Sequence, residues 1–333
     1  MVSDIDTLAR LLAAYAAGDN IAFNRAAEFL IQELTARNRH AEAKTLQQAL
    51  ERTNGTQNNF GTTLLPLPRN RREGENLITI VSRPVEADRV FLCRNTKDNL
   101  DRLLLEQKRR RLLEKHGLKP KAKLLFWGPP GCGKTLTAQL IGTELNLPVG
   151  LVRLSALVTS YVGETAANLQ RVFNAAAATP MVLLLDEVDT LAKDRDDRND
   201  VGELKRVVNS LLQAVDLFPA DKSILVAASN HQYLLDEAVW RRFDDVIEFP
   251  LPDKMDRARF LRHLLSGVVF SGAYETTAQQ LSGLSFADIE TVAYDAIKTM
   301  VLHERDNVCA QDLSPVIRAF REKRRRARAR AKG

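Results

Sequence analysis

The stretch from Leu124 to Thr135, Leu-Leu-Phe-Trp-Gly-Pro-Pro-Gly-Cys-Gly-Lys-Thr, constrains this chain more than any other. Leu124 to Trp127 form an apolar run that predicts a short buried strand. Gly128-x-x-x-x-Gly133-Lys134-Thr135 comes next, at the spacing of a phosphate-binding P-loop. The residue types suit that task. Gly128, Gly131 and Gly133 let the backbone turn without a Cβ, so successive N–H groups can converge on phosphate oxygens. Lys134 supplies a cation for the β/γ-phosphates, and the Thr135 hydroxyl is a ligand for Mg²⁺. A helix beginning near Lys134 would turn its positive end toward the anion. The candidate nucleotide contacts are therefore Gly128, Pro129, Pro130, Gly131, Cys132, Gly133, Lys134, Thr135 and Leu136. Cys132 stands where the pattern leaves the residue free and reads as a tolerated small side chain rather than a nucleophile. The same spacing also arises by chance in Gly-Pro turns, so the downstream sequence decides.

Downstream, Met181-Val-Leu-Leu-Leu-Asp186-Glu187 is an apolar strand ending in adjacent carboxylates. After a P-loop this has the form of a Walker B motif. Asp186 would hold Mg²⁺, directly or through water. Glu187 would be the base that orients and polarises the attacking water. Another apolar run, Ile224 to Ala228, ends at Ser229-Asn230, whose amide could position water or touch the γ-phosphate. Arg241-Arg242-Phe243 then precedes a last short strand; taken alone, its arginines read as surface ion pairs.

The spacing of apolar runs gives the architecture. Strands are expected at Leu77–Val81, Leu124–Trp127, Val149–Arg153, Met181–Leu185, Ile224–Ala228 and Val246–Phe249. Helices opening at Thr96, over Glu164–Ala178 and over Val201–Leu217 alternate with them. Such alternation implies a parallel sheet covered on both faces. From Asp253 onward only helical patterns are found, over Lys254–Leu265, Tyr274–Leu281, Phe286–His303 and Ala310–Lys323. The fold class expected is α/β, a P-loop parallel sheet with a C-terminal helical lid and an N-terminal helical bundle. The expected division is 1–53 as the helical module, 54–76 as a linker, 77–252 as the core, 253–320 as the lid and 321–333 as a basic tail. The N-terminal module reads either as a structural cap or as a docking module.

Composition narrows the setting. Of 333 residues 45% are hydrophobic, enough for sizeable cores. The apolar runs are too short to span a bilayer, and Asp4 and Asp6 sit where an export signal would carry positive charge. Three separated cysteines, Cys93, Cys132 and Cys309, fit a reducing cytoplasm and form no Cys-x-x-Cys. Net charge is +6, but Arg318 to Gly333 carries nine Lys/Arg against one Glu, and the rest of the chain nets −2. That tail reads either as a solubilising end or as a non-specific contact for nucleic-acid backbones.

Both phosphate motifs, Asn230 and Arg241-Arg242-Phe243 occur in the order and spacing of the AAA family of ATPases, which the chain resembles from about Val90 to Phe320. Leu234 to Asp253 resembles that family's second region of homology, in the compact form of the katanin and spastin branch. The resemblance implies ATP and Mg²⁺ as cofactors and a homo-oligomeric ring, expected to be a hexamer. It casts Arg242 as the arginine finger reaching a neighbouring subunit's site and Arg241 as the second arginine of the short-form members. Where many relatives have a second arginine after Phe-Asp this chain has Asp245, so that role falls to Arg241 or is absent. Ser155 to Glu164 resembles the first pore loop, with Tyr161, Val162 and Gly163 as the residues gripping a threaded protein. Ser160 replaces the lysine of many members, which implies weaker contact with acidic substrates. The charged stretch Lys193 to Asp200 falls where a second pore loop would be, and its simpler reading is a solvated loop. Leu284-Ser285-Phe286-Ala287-Asp288 matches the lid motif and brings Ala287 toward the nucleotide, with Phe286 in place of Gly as a challenge to the local backbone. The pattern is most similar to small single-module bacterial members, some encoded beside subtilisin-like proteases or in defence loci. It implies a cytoplasmic machine that remodels or unfolds a protein, with a partner protease as one setting and no membrane partner. The competing reading is an ATP-driven nucleic-acid machine, such as a helicase loader or transposition regulator.

Overall fold

The computed structural model describes residues 30–31, 68, 76–81, 83–154, 162–189, 201–231 and 237–330. The chain divides into two compact units, Met1–Leu65 and Pro66–Gly333. Nearly all of the first unit, and with it the expected helical bundle, lies outside the described residues. So does most of the expected linker.

In the second unit, β1 (Thr79–Val81), β2 (Lys123–Trp127), β3 (Val149–Arg153), β4 (Val182–Asp186), β5 (Ile224–Ser229) and β6 (Asp245–Glu248) form one sheet. Their order is β1-β3-β4-β5-β2-β6. The pairings are parallel except that of β1 with β3, which is antiparallel. The central strands β4 and β5 are buried almost throughout, as a parallel sheet covered on both faces requires.

The pleat sends alternate side chains to opposite sides. Leu125, Leu183 and Leu185 pack with Leu169 and Phe173 of α4 (Val162–Ala178) and with Leu211 and Val215 of α5 (Val201–Asp216). Leu124, Phe126 and Leu184 pack on the other face, with Leu100 and Leu104 of α1 (Arg94–Lys108) and Ile141 of α3 (Lys134–Leu145). Between α1 and α3 lies the short α2 (Arg110–Lys115), and α6 (Glu237–Trp240) precedes β6. Thr96, expected to open α1, is its third residue, and its hydroxyl donates to the Glu248 carbonyl at 2.8 Å. Its role is to tie α1 to the edge strand.

The lid has its own core, built on α7 (Lys254–Leu264), α8 (Tyr274–Gln280), α9 (Phe286–Leu302) and α10 (Ala310–Arg330). Each of two helix starts has a side-chain cap: Asp253 accepts from the Asp256 amide, and Ser285 and Asp288 form a reciprocal capping box. The expectation of helices alone after Asp253 is corrected here. β7 (Val269–Ser271) and β8 (Asn307–Cys309) pair in parallel, with Phe270 opposite Val308. Three residues are too few to display a period of two, and the partner lies across α8 and α9. Helix α10 continues past its expected end at Lys323 to Arg330, so its backbone crosses the change to basic composition without a break.

Parallel pairing has one consequence for chemistry. The carboxyl ends of β2, β4 and β5 lie at the same edge of the sheet, which gathers the segments leaving these strands into one crevice.

Candidate active site

Three chain segments meet in that crevice: the P-loop after β2, the Asp186-Glu187 pair closing β4, and Asn230 after β5. Together with residues 83–91 and the lid they line a cavity of about 970 Å³. The P-loop backbone is held from two sides. Gly128 has φ 145°, and a Cβ there would fall 2.2 Å from the Phe249 carbonyl oxygen, so the close approach of β6 requires glycine. Gly131 has φ 78°, and a Cβ there would lie 2.6 Å from Ser285 Oγ and 3.0 Å from Ala287 Cβ.

The second of these contacts joins the lid to the phosphate loop. Ala287, in the first turn of α9, donates its N–H to the Gly131 carbonyl at 3.1 Å. Phe286 does not disturb the turn. Its side chain is buried edge-on against Phe260, with ring centroids 5.2 Å apart, and the capping box forms around it. At the other end of the cavity Phe91 packs against Phe260 and His263, at 4.7 and 4.6 Å between centroids. This aromatic wall, with Val85 and Tyr294, can take a flat base.

Lys134 is buried at the first position of α3, and its Nζ donates to the Gly128 and Pro129 carbonyls at 2.6 and 3.1 Å. Burial pushes its ammonium below the ordinary lysine value, while Cys132, Asp186 and Asp189 act in the opposite direction. The Thr135 hydroxyl donates to Asp186 Oδ2 at 3.1 Å, so the two expected metal ligands are neighbours. The Glu187 N–H donates to the other oxygen, Oδ1, at 2.9 Å. Glu187 itself has φ 58°, a left-handed conformation uncommon for a side chain of its kind, and it stands exposed at the cavity. Asn230 lines the same cavity, and Leu136 lies on its wall.

Of the other expected site residues, Arg241 and Arg242 lie in the turn between α6 and β6 and are not among the cavity-lining side chains. Arg242 forms an ion pair with Asp216 at the end of α5. Asp245 pairs with Lys121 at 2.7 Å at the far end of the sheet, where it closes the entrance to β2. Tyr161 lies outside the described residues, as does the stretch Lys193 to Asp200; Val162 and Gly163 open α4. Sequence reasoning missed the wall formed by residues 83–91, which shows neither helical nor strand periodicity. It also missed Asp189, whose only local signal is a carboxylate directly after the buried Val188.

Comparisons with known proteins agree with this geometry. The family model described as "ATPase family associated with various cellular activities (AAA)" matches residues 124–251. An uncharacterized AAA family ATPase, y4kL, of Sinorhizobium fredii is 38% identical over 323 residues, covering 97% of this chain and 96% of its own length. The Protein SAV of Sulfolobus acidocaldarius is 34% identical over 191 residues, 56% of this chain and 24% of that protein. A proteasome-activating nucleotidase of Methanothermobacter thermautotrophicus is 33% identical over 221 residues, 64% of this chain and 54% of that protein. The cavity with its phosphate loop, paired carboxylates and asparagine, and a relative matched along nearly its whole length, lead to one conclusion: the chain belongs to the AAA family of ATPases.

Proposed function

We propose that this ATPase works with Mg²⁺ as a ring, expected to be a hexamer, and uses hydrolysis to remodel or unfold a protein, in the service of a partner protease or a defence system. The observation that carries the ring is a division of labour. One chain's cavity contains the phosphate loop, Asp186, Glu187 and Asn230, whereas Arg241 and Arg242 stand apart from it. On this reading they complete the cavity of the next subunit.

The donors fit Mg²⁺: a hydroxyl and a carboxylate side by side, both hard oxygen ligands, leave the remaining positions to phosphate oxygens and water. Among the described residues no group of three or more His, Cys, Asp or Glu could hold a metal by itself, which also suits an ion shared with the nucleotide. Thr135 and Asp186 would hold the ion, which would supply charge neutralisation at the phosphates. The protein's own steps come from its geometry. Lys134 exchanges the Gly128 and Pro129 carbonyls for phosphate oxygens, a stronger charge-assisted contact. Glu187 takes up the proton of the attacking water, and Asn230 orients that water or the γ-phosphate. Arg242 of a neighbouring subunit then meets charge that the local residues leave uncompensated.

A protein substrate is supported by the Tyr161-Val162-Gly163 triplet and by the likeness to a proteasome-activating nucleotidase. One feature favours the nucleic-acid reading: α10 carries the run from Lys323 to Arg330 on a continuous helix. Among the described residues no helix is long and apolar enough to cross a membrane.

The specific ATPase rate against protein concentration tests the ring. It should fall as the protein becomes monomeric, and Arg242→Ala mixed with Lys134→Ala should recover activity that neither variant has alone. A rate that stays flat to monomeric concentrations, with no recovery on mixing, overturns the proposal. Deleting residues 322–333 should leave turnover nearly intact, and Tyr161→Ala should keep basal hydrolysis while losing work on a protein client. Salt-insensitive DNA binding by the truncated protein would favour the nucleic-acid reading.

A further inference from the structure

Asp189 is a carboxylate that the proposed reaction does not use, yet it is 1% exposed. Burying a carboxylate is costly unless its oxygens are satisfied, so its partners indicate its task. Oδ1 accepts the backbone N–H of Asn230, 41 positions away and just past β5, at 3.2 Å. Oδ2 faces Nε2 of His231 at 4.0 Å. Asp189 itself does not line the cavity, whereas Asn230 does.

The rest of this corner is stitched in the same sense. The Val188 N–H donates to the Ala228 carbonyl at 3.0 Å, fixing the turn after Glu187 against β5. On the other side Ser229 Oγ accepts the His231 N–H at 3.1 Å and donates to the His231 carbonyl at 3.0 Å, closing the chain just past Asn230. Asn230 is thus held between a serine bridge and the Asp189 carboxylate. The Asp189 bond takes its backbone N–H, and the serine bridge spans it to the backbone of His231; neither uses the amide side chain.

We propose that Asp189 is a positioning residue for hydrolysis, which sets Asn230 against the γ-phosphate and ties it to the turn bearing Glu187. The inference rests on the reading of Asn230 as the residue that orients water or phosphate. It goes further in joining the base and the asparagine into one rigid unit across β4 and β5. An amide 1 Å out of place can cost about a hundredfold in rate, so a remote carboxylate can matter as much as a contacting one.

A double-mutant cycle in the full-length protein tests this, with kcat and ATP affinity measured separately. Asp189→Ala should lower kcat about 10–100-fold while ATP affinity stays within about threefold. Asp189→Asn keeps an acceptor oxygen for the Asn230 N–H and should recover most of the rate. In an Asn230→Ala background, Asp189→Ala should cost little more, because the residue through which it acts is gone. Additive losses overturn the proposal, as does a fall in ATP affinity equal to the fall in kcat, which would mark Asp189 as a charge partner of Lys134. Should Asp189→Ala fail to fold, hydrogen exchange in the wild-type protein decides: the Asn230 amide should be protected, and free exchange overturns the proposal. If Asn230→Ala alone keeps normal kcat, the role of Asn230 falls and the inference falls with it. A slow Asn230→Ala with an unaffected Asp189→Ala refutes the inference alone.

Discussion

Arg242 and Asp216 form an ion pair between the turn before β6 and the end of α5, with side-chain exposures of 36% and 44%. Exposure of that order leaves the pair well screened, worth about 0.2–1 kcal/mol. In the proposed ring, a contact this weak can be exchanged for a phosphate on a neighbouring subunit. Arg242→Ala should lower turnover by about 10³–10⁵-fold with nucleotide affinity retained. Asp216→Asn should change the melting temperature little and leave turnover intact, since it removes only the resting partner. Steady-state kinetics and calorimetry on both variants check this pair of outcomes.

Lys134 holds its ammonium in a buried setting. Its folded-state pKa is depressed by burial, so the unfolded chain binds a proton more readily than the folded one. Stability therefore rises as pH climbs through the folded value toward the ordinary 10.5. Lys134→Met should abolish tight ATP binding yet leave the nucleotide-free protein at least as stable near neutrality, without that pH-dependent rise. Thermal unfolding of both proteins across alkaline pH would show it.

The lid touches the phosphate loop at Gly131. A Cβ there must displace Ser285 Oγ, at 2.6 Å, and it would also sit in a left-handed conformation. Gly131→Ala should thus weaken ATP binding more than tenfold and detach α9 from the loop, with a destabilisation of about 1–3 kcal/mol. Increased hydrogen exchange at the Ala287 amide is the accompanying signature, because that N–H loses its acceptor.

Asp312 closes the lid's small sheet. Its Oδ2 accepts the Cys309 N–H at 2.9 Å, and Arg305 donates to both carboxylate oxygens at 2.9 and 3.1 Å. The Cys309 bond and then Arg305 hold the carboxyl below its ordinary 3.8. A depressed carboxylate contributes stability above the unfolded value and loses it as pH falls through the folded one. Asp312→Ala should cost about 1–3 kcal/mol in urea unfolding at neutral pH. The difference from wild type should shrink in acid below 3.8.

Glu187→Gln should bind ATP and fail to turn it over, because the amide keeps the size of the side chain and loses its basicity. A single-turnover assay with the variant checks this, and near-normal hydrolysis would remove Glu187 from the mechanism.

The placement of the phosphate loop and of Asp186 at the strand ends was legible in the sequence because each part is local. Gly128 to Thr135 encodes its own turn, and the apolar run before Asp186 announces both the strand and where it stops. The sheet was legible from strand–helix alternation, and the helix starts at Lys254 and Phe286 from the onset of helical periodicity, although their caps Asp253 and Ser285 were not foreseen. Only the tertiary structure decided the contacts between residues far apart in the chain. Nothing near Asn230 indicates that Asp189 holds it, and nothing near Gly131 indicates that Ser285 and Ala287 fill the space a side chain would need. The aromatic wall combines Phe91 with Phe260 and His263 from the lid, and β7 pairs with β8 across the intervening α8 and α9. Local periodicity reports which face of an element is apolar; it carries no information on which distant group will meet a given polar atom. That pairing is settled by burial, since a carboxylate such as Asp189 can enter the interior only where another segment brings it a donor.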